Sequence, residues 1–199
     1  MKNATKLFFN FIFCVGLFGL LFGIGARGDV TPRRSRVDFS ATTWQEPLQL
    51  TSASGSVDKS VANYKGMLLS YERLIHNSWG GYGFGGVVGS GSASGGGTSS
   101  AVPYQQGTLP WTLLGIQPRI FYALSDRVAL GASSTLVDRN ITWPGSATVQ
   151  VDPSKMFNVI FTLDIDFNLS DRFGFRQSWG AWSADVGPFW RWGLTYDFD

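Results

Sequence analysis

Hydrophobic and polar residues alternate along the last stretch of the chain, Pro188–Phe198, where Trp190, Trp192, Leu194, Tyr196 and Phe198 interleave with Arg191, Gly193, Thr195 and Asp197. A period of two over this length predicts a strand with one aromatic face and one small or charged face. Such a strand suits a wall between lipid and a polar lumen. Its other setting is an amphipathic edge strand of a soluble sheet.

The same alternation recurs upstream, ordered by an internal repeat. Leu124-Ser125-Asp126-Arg127 returns as Leu169-Ser170-Asp171-Arg172, each between two strand-like runs. If Ser-Asp-Arg is a three-residue turn, Leu124 faces Val128 and Leu169 faces Phe173. The apolar positions of both arms then fall on one face: Leu114, Ile116, Pro118, Ile120 and Tyr122 with Val128, Leu130 and Leu136, and Phe161, Leu163, Ile165 and Phe167 with Phe173, Phe175 and Trp179. A third hairpin, turned at His76-Asn77, sets Met67, Leu69 and Tyr71 beside Tyr82, Phe84 and Val88. Strands are predicted over 37–50, 61–75, 78–89, 111–124, 128–139, 155–169, 173–182 and 188–198. The first has the weakest pattern, because residues 43–47 alternate poorly and Pro47 lacks a donor. Pro118 and the outward Gln177 suggest bulges.

Three short turns therefore lie at one end, and long polar connections at 51–60, 90–109 and 140–154 lie at the other, with a shorter one near 183–187. That asymmetry belongs to outer-membrane barrels, and an even strand count puts both termini on the short-turn, periplasmic side. The fold class expected is all-β, an eight-stranded antiparallel up-and-down transmembrane barrel.

The start of the chain adds an export route. Lys2 and Lys6 precede an apolar run over 7–24, and Ala26 offers a small residue for cleavage, so residues 1–26 read as a signal peptide. An uncleaved anchor is the other reading, weakened by two glycine-containing turns, Gly16 to Gly19 and Gly23 to Gly25. Cys14, preceded by Phe13, lacks the small residue a lipoprotein site needs, and removing the leader leaves no cysteine for a disulfide or metal site. Without Lys2 and Lys6 the chain keeps 14 basic against 14 acidic residues. That balance gives no basic footprint for nucleic acid. Residues 27–36, with Arg33, Arg34 and Arg36, read as a solvated periplasmic tail, leaving 37–199 as the barrel; Arg27-Gly28-Asp29 reads as a chance tripeptide.

The pattern Arg191-x-Gly193-x-x-Tyr196-x-Phe198 resembles the C-terminal assembly signal of bacterial outer-membrane barrels, with the departure that Asp199 follows the terminal Phe198. The chain as a whole, over roughly residues 37–198, resembles the small eight-stranded barrels typified by the transmembrane domain of outer-membrane protein A and its X-type and W-type relatives. The resemblance implies outer-membrane lipid and the barrel-assembly machinery as partners. A soluble lipocalin-like barrel is the architectural rival. It would crowd some two dozen large apolar side chains into a lumen that eight strands make barely wide enough for side chains. The Gly, Ser, Thr and charged set suits that space better.

Several motifs invite sharper chemistry. Gly81-Tyr82-Gly83-Phe84-Gly85-Gly86 matches G-x-G-x-x-G, but a dinucleotide site needs a helix opening there, and Val87-Val88 continues a strand. On a barrel wall Gly81, Gly83 and Gly85 point inward and leave room for larger side chains. The Gly/Ser tract over 89–100 lacks the lysine of a phosphate loop and reads as an external loop. Asp164 and Asp166 share the lumen face, and the turn register sets Asp166 opposite Arg176. A catalytic or metal-binding carboxylate pair competes here with a structural ion network, because Glu72, Arg119, Arg176 and Arg191 also face inward. The network is the reading adopted, with no metal and no cofactor. The single histidine, His76, sits in a predicted periplasmic turn, away from the loops where an outer-membrane hydrolase or acyltransferase would place its base. The sequence thus points to a non-enzymatic barrel with a structural or loop-mediated interaction role toward an unidentified extracellular ligand. A narrow conduit for small, hydrophobic molecules is the alternative, and a lipid-modifying enzyme the minor one.

Overall fold

The computed structural model describes residues 34–77, 79–96, 105–146, 148–151, 157–182 and 188–198. The expected signal peptide over 1–26 and residues 27–33 of the expected tail lie outside them. Among the described residues there are nine strands: β1 (Arg34–Ser52), β2 (Val57–Asn77), β3 (Gly80–Gly96), β4 (Gln105–Ala123), β5 (Val128–Asn140), β6 (Val149–Val151), β7 (Phe157–Asn168), β8 (Phe173–Trp182) and β9 (Pro188–Phe198). Eight form an antiparallel ring in chain order, and β9 closes it by pairing with β1 from Ser35↔Phe198 to Thr43↔Trp190. Closure pairs the backbone within the wall, the condition for a sheet in hydrocarbon. The short β6 is additional and pairs with the far end of β1, Leu50↔Val151 to Ser52↔Val149.

The Ser-Asp-Arg repeat forms two matching turns. Leu124 N donates to Val128 O, and Leu169 N to Phe173 O, at 2.9 Å in each case. In each, the serine hydroxyl accepts from the two main-chain amides that end the turn: Ser125 Oγ from Arg127 and Val128, Ser170 Oγ from Arg172 and Phe173. The carbonyls of Arg127 and Arg172 accept from Asn168 N and Asp197 N, and that of Trp79 from Ala123 N. Each turn is thereby tied to the next strand, and this rim is the end that holds Arg34 and Phe198.

Several sequence expectations are corrected. His76-Asn77 is not the β2–β3 turn but part of the ladder, since Asn77 pairs with Gly80 and His76 with Gly81. Gly80 explains the shift: its φ of +153° favours glycine, and a Cβ there would stand 2.3 Å from Phe121 O. β1 takes in Arg34, Ser35 and Arg36, so the strand begins inside the stretch assigned to the tail, and Arg36 is buried. The connection at 51–60 is a tight turn over 53–56 with Gly55 at φ +82°. Strand occupies much of the loop expected at 90–109, up to Gly96 and from Gln105. The connection at 140–154 holds β6. Pro118 makes no bulge: the β4–β5 ladder lapses between Ile116↔Leu136 and Arg119↔Ser133 and resumes in the same register. Gln177 sits in an unshifted register as well, and the β3–β4 pair shifts register instead between Ala93 and Gly95.

The largest correction concerns polarity. Near the turns the outward positions are apolar and exposed, among them Phe39, Leu69, Phe84, Leu114, Leu163, Phe173 and Leu194. Farther along β1 the alternation persists but inverts: Gln45, Pro47 and Gln49 face out, while Trp44, Glu46, Leu48 and Leu50 are buried. The same inversion follows Lys65 on β2, where Tyr64 and Ala62 point in, and Thr112 on β4, where Trp111 points in. These strands stand above the apolar belt as a water-facing wall; from Lys65 to Val57 β2 runs about 26 Å at about 3.3 Å per residue. Pro47 lies between the β9-paired and β6-paired parts of β1, an edge stretch where proline is tolerated.

Leu163→Arg, in the belt, is expected to lower the stability of the folded barrel by about 2–4 kcal/mol, whereas Gln49→Arg on the upper wall is expected to change it by less than about 0.5 kcal/mol. Urea unfolding in lipid vesicles measures both, and equal effects would contradict the belt assignment.

Candidate functional site

The lumen has two tiers. The one nearer the turns is ionic and contains all six side chains singled out from sequence, each buried: Glu72, Arg119, Asp164, Asp166, Arg176 and Arg191. They gather because inward positions on β2, β4, β7, β8 and β9 come level around a narrow ring. Asp166 is the hub. Its carboxylate meets Arg176 Nε at 2.7 Å, Arg119 Nη2 at 2.7 Å and Arg36 Nη1 at 2.8 Å. Arg119 also reaches Asp164 at 3.0 Å, and Arg176 reaches Glu72 at 3.0 Å. Arg191 stands to one side, 2.8 Å from Asp38, and donates to Ser40 and Ser70 at 2.7 Å each and to Gln117.

Two glycines make this tier possible. A Cβ on Gly83 would lie 2.3 Å from Glu72 Oε1, and one on Gly131 would lie 2.6 Å from Arg119 Nη2. Gly83 therefore leaves room for a larger neighbour, as its inward position suggested. Residues 81–86 open β3 and the strand runs on to Gly96, so no helix starts there and the geometry a dinucleotide site requires is missing. Asp164 and Asp166 face guanidinium groups at 3.0 Å or less, which occupy the lone pairs a metal would use. Among the described residues, no three His, Cys, Asp or Glu side chains are placed to hold an ion.

Sequence reasoning missed three members. Arg36 chelates Asp197, with Nε 2.5 Å and Nη2 2.8 Å from its two carboxylate oxygens, and Asp38 lies between Arg176 and Arg191. The signal was available in the alternation itself: with Val37 and Phe39 outward, Arg36 and Asp38 must face in.

The upper tier is an aromatic core that was not expected in a polar lumen. Trp44 stacks on Tyr64 with centroids 4.7 Å apart and planes at 3°, and meets Trp111 edge-on at 5.0 Å. Arg139 lies over the Tyr64 ring at 4.7 Å and pairs with Glu46, which also accepts from Trp44 Nε1 at 2.9 Å. The ring stack and a desolvated cation over its face stabilise the tier by roughly 1–2 kcal/mol each beyond burial. Trp111 fits because Gly66 and Gly91 lack side chains; a Cβ there would stand 2.4 and 2.8 Å from its ring.

Between the tiers, a cavity of about 10 Å³ is bounded by residues that include Leu68, Val87, Gln117, Val137, Phe189 and Arg191. That volume holds one water at most.

Of the four residues assigned to an assembly signal, Arg191 and Gly193 are buried inward. Tyr196 faces out at the turn rim, where its ring packs on Phe173 at 4.9 Å and near Phe198 at 6.2 Å.

No protein-family model matches the chain, and the search of curated proteins finds no match. Among solved structures it is similar to the outer membrane protein OprG from Pseudomonas aeruginosa, at a TM-score of 0.51 and 8% identity over 85% of this chain and 97% of that one. It is also similar to Ail, the attachment invasion locus protein of Yersinia pestis, at 0.46 and 14% over 84% of this chain and 100% of that one. Neisserial surface protein A aligns at 0.44 and 11% over 86% and 100%.

Asp166→Ala is expected to cost about 3–5 kcal/mol, because it leaves three guanidinium groups around an empty position, while Asp126→Ala in an exposed turn should cost under about 0.5 kcal/mol. Denaturant midpoints of the refolded variants decide it; an unchanged midpoint for the Asp166 variant would remove the hub from the account.

The ring closure, the belt and the alignment with OprG agree on one conclusion: by fold, the chain is a small eight-stranded β-barrel of the bacterial outer-membrane type.

Proposed function

We propose that the chain is a closed, non-enzymatic barrel of a Gram-negative outer membrane, exported by its cleaved leader. Its work is structural or interactive, done by the wall that stands above the apolar belt. The observation that carries this reading is the filled lumen, in which ion pairs, then a water-sized gap, then an aromatic core succeed one another from the turns to the loops. An eight-stranded ring has little cross-section to spare once such side chains point inward. A permeant ion or solute would have to displace paired charges from a buried interior, which costs several kcal/mol per group.

The same reading assigns the partners. The belt takes membrane lipid, the C-terminal strand with Arg191, Gly193, Tyr196 and Phe198 takes the assembly machinery, and the polar outer faces of β1 to β4 take an extracellular ligand still to be identified. Support for a non-enzymatic role comes from His76, which lies near the turn end of β2 opposite Gly81, at the pole away from the upper wall.

Purified protein inserted into planar lipid bilayers is expected to leave the conductance at that of the bare membrane across a range of salt and voltage. Discrete conductance steps from the folded species would overturn the closed reading and favour the narrow conduit.

A further inference from the structure

Residues 141–146 and 148–151, between β5 and β7, cross the mouth of the barrel and reach β1 on the opposite wall. They carry Ile141, Trp143, Val149 and Val151 onto the aromatic core. The strap is held by three ladder pairs, Leu50↔Val151, Thr51↔Gln150 and Ser52↔Val149, and by the bond from Ala53 N to Thr148 O at 2.9 Å. The pairs within the ring run to nine or more, so among the described residues this is the shortest strand attachment.

Trp143 enters a slot that suits a flat ring. Its indole stands edge-on to Tyr64, with centroids 6.3 Å apart and planes at 88°. A Cβ on Gly95 would come within 2.9 Å of the Trp143 ring and 2.8 Å of Leu48, so the missing side chain forms the floor of the slot. The indole N–H is the anomaly. Trp44 donates to Glu46 and Trp111 to the Lys65 carbonyl, but the buried Nε1 of Trp143 has no acceptor among the described residues. Ring shape is matched here and the donor is not, so a ring without an N–H would fit the slot without leaving a donor unsatisfied.

We propose that the slot walled by Leu48, Tyr64 and Gly95 is a binding site for an uncharged, flat aromatic ring lacking a hydrogen-bond donor, and that Trp143 is its built-in occupant, which such a ligand displaces by lifting the strap. The site lies above the belt and requires no passage through the lumen, so it stands whether or not the barrel conducts. A self-occupied site binds weakly, because the ligand must also meet the cost of moving Trp143.

The probe is benzothiophene, which has the shape of indole without its N–H. Its binding to the full, refolded protein in vesicles is measured by equilibrium dialysis, with protein-free vesicles as the partition control. Trp143→Gly is expected to bind one equivalent saturably and at least about tenfold more tightly than wild type. W143G/G95L, which fills the vacated space from its floor, is expected to lose that binding while keeping the compact, heat-modifiable band of a folded barrel. Indole itself should bind W143G more weakly than benzothiophene. A cross-link between the facing pair Thr51 and Gln150, as T51C/Q150C, tests the strap separately: wild-type-level binding should disappear on oxidation and return on reduction. Absence of saturable binding to W143G, or equal binding by W143G and W143G/G95L, overturns the proposal. If W143G yields no folded band, equal binding by oxidised and reduced T51C/Q150C overturns it.

Discussion

Each long strand of this barrel passes through two solvents, and that constraint governs the rest of the structure. In hydrocarbon the outer face must be apolar and every backbone group paired; above it the outer face meets water and the apolar residues must turn in. A strand has only two faces, so the phase of its alternation has to invert where it leaves the membrane. On β1 the inversion falls between Ala41 and Gln45, on β2 near Lys65 and on β4 near Thr112. The interior follows from it. Below the inversion it receives Asp38, Glu72, Asp166 and their arginines; above it, Trp44, Tyr64 and Trp111.

Both fillings are demanding in a ring this narrow. A buried charge is tolerated only with partners, and removing one side of a pair costs more than the pair contributes. Asp166 illustrates the solution, since three arginines from three different strands converge on it and each has a further acceptor. The aromatic tier meets a volume constraint instead. Trp111 can lie flat across the wall only because Gly66 and Gly91 stand where any side chain would collide with it. Several glycines that resemble a nucleotide loop or a flexible tract in the sequence are thus the packing partners of large inward side chains.

The lower half of the molecule was legible because two regularities reinforce each other there. Period-two alternation gave the faces, and the repeated Leu-Ser-Asp-Arg turn gave the register, so the pairing of Asp166 with Arg176 could be read before any coordinates. The upper half was obscured by the inversion. Residues 43–47 look irregular if the outer face is assumed to stay apolar, and the Ser/Gly tract after Gly89 looks like loop if strands are assumed to be apolar at all. The same assumption placed Arg36 in a tail. The strap could not be found from sequence, because three residues that pair with a distant strand leave no periodic trace.

The inversion on β1 is the claim most open to direct test. Single cysteines at Phe39, Ala41, Gln45 and Gln49, each carrying the same fluorophore on the refolded protein in vesicles, can be quenched either by brominated lipid tails or by aqueous iodide. Probes at 39 and 41 are expected to be quenched by the lipid and spared by iodide, and probes at 45 and 49 the reverse. Lipid quenching at all four positions, or iodide quenching at all four, would contradict a wall that changes solvent along its length.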